Sequence, residues 1–85
     1  NISLEDDDNI IVLRMRSVTA LDATAMHSLE ELYTKCKKKN ITLILSHVNE
    51  QPMRTMKKAG FDKLVGEENF CSHIDDALKR AGDLQ

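Results

Sequence analysis

Five side chains in this 85-residue sequence could bind a metal through an imidazole or a thiolate: His27, Cys36, His47, Cys71 and His73. Only Cys71 and His73 are close in sequence, and no second pair at zinc-like spacing accompanies them. Ordinary packing and surface roles are the plainer reading, so no metal is expected. Nucleophilic catalysis finds no better footing, because there is no G-x-S-x-G elbow and no Cys–His–acid set. The paired carboxylates Glu67-Glu68 and Asp75-Asp76 read as turn and helix-start charges. The glycines Gly60, Gly66 and Gly82 fall at element ends and form no phosphate-cradling loop. Nothing here predicts an enzyme or a bound cofactor.

One segment does stand out. Leu21-Asp22-Ala23-Thr24-Ala25-Met26-His27-Ser28 carries small polar residues into a capped helix start. Asp22 is a good N-cap, since its carboxylate can accept from the orphan N–H groups of the first turn. A phosphate placed there would also meet those N–H groups and the positive end of the helix dipole. The alternative is a strand-to-helix turn with no ligand. The candidate binding residues are Asp22, Ala23, Thr24, Ala25, His27 and Ser28.

The elements that must position this segment follow from hydrophobic patterning. Residues 10–13, Ile-Ile-Val-Leu, form a continuous apolar block, as expected of a strand buried on both faces of a parallel sheet. After Asp22, the residues Ala25, Met26, Leu29, Leu32, Tyr33 and Cys36 recur at helical spacing, and Lys37-Lys38-Lys39 with Asn40 close that helix. Residues 41–45 predict a second interior strand. Pro52 suits the first turn of a second helix, which Gly60 ends. Residues 61–65 predict a short third strand, and Gly66 turns the chain. Ser72 with Asp75 resembles a capping box for a last amphipathic helix through Ala77, Leu78 and Ala81. The acidic run Glu5-Asp6-Asp7-Asp8 is expected in a solvated loop or turn. Strand–helix alternation of this kind implies an α/β fold with a largely parallel sheet and helices packed on it.

Composition sets the outer limits. Hydrophobic residues make up 41% and charged residues 31%, with a formal net charge of −2. That balance is ordinary for a globular domain and lacks the basic face of a nucleic-acid binder. The lysine run fits a helix C-terminus better than a lipid-binding patch. Two cysteines far apart make no disulfide framework and fit a reduced, cytosolic setting. No apolar run has the length of a membrane span, and no signal peptide is visible. The chain itself is expected to be soluble, which does not exclude its being part of a membrane protein.

The Leu21-Asp22-Ala23-Thr24-Ala25 segment resembles the Asp-Ser/Thr-Ser/Thr-Gly loop of STAS domains. These occur in sulfate-permease (SulP) anion transporters and in anti-sigma factor antagonists. Downstream, Ile41-Thr42-Leu43-Ile44-Leu45-Ser46-His47-Val48-Asn49-Glu50-Gln51-Pro52-Met53 is similar to the transporter branch. So are Lys58-Ala59-Gly60-Phe61, Gly66-Glu67-Glu68-Asn69 and His73-Ile74-Asp75-Asp76-Ala77-Leu78. The likeness runs in order from about Ile10 to Ala81. It departs at Ala23, which stands where antagonists carry the phosphorylated Ser or Thr. Thr24, at the next position, is a fallback phosphoacceptor. Ala25 replaces the loop glycine, which implies a less permissive backbone.

The resemblance implies a STAS-like fold over residues 1–85, covering the C-terminal two-thirds of a domain whose N-terminal strands are missing. It also implies a cytosolic regulatory and interaction domain of a bacterial sulfate-permease-type secondary anion transporter, at the cytoplasmic face of the inner (plasma) membrane. Such a domain would serve assembly, trafficking or regulation. Its implied partners are the membrane domain of the same polypeptide, a cytosolic regulatory protein, a nucleotide or a second copy in a homodimer; nucleic acid is not among them. The alternative is a free-standing anti-sigma factor antagonist that binds an anti-sigma factor kinase.

Overall fold

The computed structural model describes residues 3–7 and 9–83. The chain runs β1 (Ser3–Asp7), β2 (Ile10–Arg14), α1 (Ala23–Lys38), β3 (Thr42–Ser46), α2 (Glu50–Lys58), α3 (Phe61–Val65), a 3-10 turn (Glu67–Asn69), β4 (Phe70–Cys71) and α4 (Ile74–Asp83). The four strands form one sheet in the order β1-β2-β3-β4. Strands β2, β3 and β4 are parallel, and β1 pairs antiparallel with β2.

Burial on both faces explains the unbroken apolar blocks. On one face Leu13, Met15, Leu43 and Leu45 meet Met26, Leu29 and Cys36 of α1, Met56 of α2, and Phe61 and Val65 of α3. On the other, Ile10, Val12 and Ile44 pack against Ala77 of α4. Each fully buried aliphatic side chain contributes on the order of 1.5–3 kcal/mol. The stripe of α1 is the one the sequence predicts, and the helix ends at Lys39–Asn40, where Asn40 takes a left-handed φ of 57°. Asn is among the few residues that tolerate this conformation after a helix.

Three expectations need correction. Residues 61–65 form the helix α3, not a strand. Gly60, at φ 74°, ends α2 and lets the chain start a new helical turn at once. Phe61 and Val65, one turn apart, then reach the same core. The third parallel strand is Phe70–Cys71, which pairs with Leu45 and Ser46. The acidic run is no loop over Glu5-Asp6-Asp7, which lie in β1 with Asp7 opposite Ile10; Asp8 lies outside the described residues. Helix α4 starts at Ile74, with Ala77 N bonded to the His73 carbonyl, so the cap position is His73 rather than Ser72.

Candidate functional site

Asp22 caps α1 as the sequence predicts: its backbone is extended, and its carboxylate accepts from Ala25 N at 2.8 Å. Ala23, Thr24, His27 and Ser28 are exposed around this helix start, and Ala25 is half-buried. Ala25 lies inside α1 and is not among the positive-φ residues, so alanine there strains nothing. Ser28 donates to the Thr24 carbonyl at 3.2 Å. His27 Nε2 stands 3.9 Å from Glu31 Oε1 on the same face of the helix. The structure therefore gathers all six candidate residues on the first turns of α1.

Beside them runs a groove of about 440 Å³, walled by Met15, Val18 and Leu21 on one side and by Ala25, Leu29 and Leu32 of α1 on the other. Ser28 sits at its margin. A small polar rim next to an apolar trough suits contact with another surface, because the trough supplies area and the rim supplies direction.

The sequence does not reveal what holds this loop. Two amide side chains at the start of α2 reach across to it. Asn49 donates through Nδ2 to the carbonyls of Arg16 at 2.9 Å and Val18 at 2.8 Å. Gln51 accepts from Leu21 N at 2.8 Å and donates to the Leu21 carbonyl at 3.4 Å. Asn49 is the cap residue of α2 yet makes no side-chain capping bond; its Nδ2 is turned to the loop instead. Amides suit this task, since one planar group offers both donors and an acceptor.

The five metal-capable residues do not gather at one place: His27 and Cys36 lie on α1, and His47, Cys71 and His73 lie about the carboxyl ends of β3 and β4. Cys36 lies in the core, with its thiol pushed above the ordinary range by burial and drawn partly back by Lys39. Cys71, at the end of β4, is raised by burial and by Asp76, against the pull of Arg80. Both cysteines are free. Among the described residues, no group of three or more His, Cys, Asp or Glu converges to hold a metal ion. His47 and His73 do meet, with ring centroids 6.2 Å apart. Among the described residues, no helix is long and apolar enough to cross a membrane.

A parallel three-stranded core with helices on both faces, an antiparallel edge strand and a surface loop leading into a capped helix define an α/β module of the anti-sigma-antagonist type. The chain belongs to the STAS domain family, whose profile matches residues 2–77. It is similar to sulfate transporter 4.1, chloroplastic, of Arabidopsis thaliana, at 36% identity over 80 residues, which is 93% of this chain and 12% of that protein. The probable sulfate transporter 4.2 of the same plant is 33% identical, over 81% of this chain and 10% of its own length. Among solved structures, a sulfate transporter family protein from Wolinella succinogenes superposes with a TM-score of 0.85 at 39% identity, covering 89% of this chain and 62% of that one. A SulP transporter STAS domain from Vibrio cholerae gives a TM-score of 0.82 at 33% identity, covering 93% and 62%. The chain thus spans about a tenth of the sulfate transporters it matches and under two-thirds of the solved chains.

Proposed function

We propose that this chain is the cytosolic regulatory and interaction domain of a sulfate-permease-type secondary anion transporter, and that it performs no catalysis. The observation that carries the reading is the joint match to sulfate transporters in sequence and to a SulP STAS domain in structure. The membrane domain of the same polypeptide is its first partner, at the cytoplasmic face of the membrane. The chain represents the C-terminal two-thirds of its domain, a reading supported by its 62% coverage of both solved chains.

The contact surface is the start of α1. Asp22 holds the helix end in place, and Ala23, Thr24, His27 and Ser28 present the exposed rim. Ala23 offers no hydroxyl for the antagonist-type phospho-switch, and Thr24 is the remaining acceptor. The test is deletion of the domain from the full-length protein, with radiolabelled sulfate uptake and membrane abundance as readouts. A fall in either supports the reading. Unchanged uptake at unchanged abundance overturns it.

A further inference from the structure

The observation that neither the fold nor the docking loop uses lies at the carboxyl ends of β3 and β4. His47 follows the last residue of β3 and takes a left-handed backbone, φ 53°. Histidine visits this region more often than most residues, but a non-glycine held there is still locally strained. Two bonds fix it. Its N–H donates to the Cys71 carbonyl at 2.8 Å, and its Nδ1 lies 3.1 Å from the Ser72 carbonyl. A carbonyl can only accept, so the bond assigns the proton to Nδ1, and in the neutral ring Nε2 is the nitrogen that offers a lone pair. A ring nitrogen tied to a carbonyl with the other nitrogen available is how metal-ligating histidines are oriented.

The second imidazole is His73, exposed on the connection from β4 to α4. Its ring is tilted 50° to that of His47, with the centroids 6.2 Å apart. With metal–nitrogen bonds of about 2.0–2.1 Å, two imidazoles on one ion have centres about 5 Å apart at a tetrahedral angle and about 6.5 Å apart when opposed. The observed separation falls inside that span, near its opposed limit, and His73 is exposed and free of the core.

We propose that His47 and His73 form a two-imidazole clasp for a divalent ion of the nickel, copper and zinc class, with water in the remaining positions. Imidazole donors favour these ions over magnesium or calcium. One ligand is preset by the β3–α2 connection and the other is supplied by the β4–α4 connection, so the ion ties the two together. His27, on α1, belongs to neither connection and serves as an internal control.

The test is titration of the 85-residue chain with zinc chloride, followed through the imidazole Cε1–H resonances, beside calorimetry on the wild type, His73→Gln and His47→Asn. Asparagine keeps the left-handed backbone at position 47, and position 73 is exposed, so both variants preserve the fold. The expected result is one ion per chain, with His47 and His73 shifting together ahead of His27. Each variant weakens binding by about tenfold or more. Equal shifts of all three histidines, wild-type affinity in His73→Gln, or no shift at millimolar zinc would each overturn the clasp.

Discussion

Gln51 brackets the peptide of Leu21 from 30 positions away, accepting from its N–H at 2.8 Å and donating to its carbonyl at 3.4 Å. The same amide also donates to Thr55 Oγ1 at 3.2 Å, which locks the side chain against its own helix. The start of α2 therefore sets the position of the loop that leads into α1. Gln51→Leu leaves the Leu21 N–H without its partner in a half-buried place, at a cost of about 1–3 kcal/mol. Urea denaturation should show that loss, and amide exchange at Leu21 should accelerate more than exchange in β3.

Asp22 separates local capping from docking. Asp22→Ala removes the bond to Ala25 N and should cost about 1 kcal/mol, whereas Asp22→Asn should retain most of that stability. Thermal unfolding of the two variants checks the difference. Equal destabilisation would show that the negative charge, rather than the hydrogen bond, matters at this helix end.

The sequence made these central elements legible because their patterns are long and one-sided. The stripe Met26, Leu29, Cys36 identifies α1, and the blocks around Val12 and Ile44 identify strands buried on two faces. That residues 61–65 pattern as a strand yet fold as a helix has a physical cause. Phe-Asp-Lys-Leu-Val is short enough for strand and helix patterns to coincide. What decides is the pairing of Phe61 with Val65 in one core while Leu64 stays 53% exposed. Two-residue β4 has too little sequence to announce itself. Strand β1 exists through its ladder with β2, which no local propensity of an acidic run foretells. The candidate loop was visible from Asp22 onward. The roles of the Asn49 and Gln51 amides are not legible in the sequence, because their partners lie 30 or more positions away in the chain.

The core of so small a domain leaves little reserve. Met56 is 0% exposed and packs in the cluster that joins α1, α2 and α3 to the sheet. Met56→Ala should cost about 2–5 kcal/mol, against a total that in natural domains is about 5–15 kcal/mol. A urea midpoint shifted far down is the expected outcome. A midpoint within error of wild type would contradict the packing described.

Cys36 gives the fold an alkaline weakness. Burial raises its thiol above the ordinary value of 9.0, with Lys39 opposing in part. The folded chain therefore holds this proton more tightly than the unfolded chain. Its contribution is complete below about pH 9 and is lost as the pH rises from the unfolded value through the raised folded one. Cys36→Val should flatten the decline in unfolding free energy as the pH rises above about 9, since Tyr33 and the lysines are common to both proteins. An unchanged slope would contradict it.

The start of α1 is the proposed point of contact with the transporter, and one measurement tests it most directly. Thr24→Arg with His27→Glu changes the rim while leaving Asp22 and the apolar stripe of α1 untouched. Sulfate uptake by the full-length protein carrying this pair should fall while the isolated chain unfolds within error of wild type. Wild-type uptake and wild-type membrane abundance would contradict a docking role for this surface.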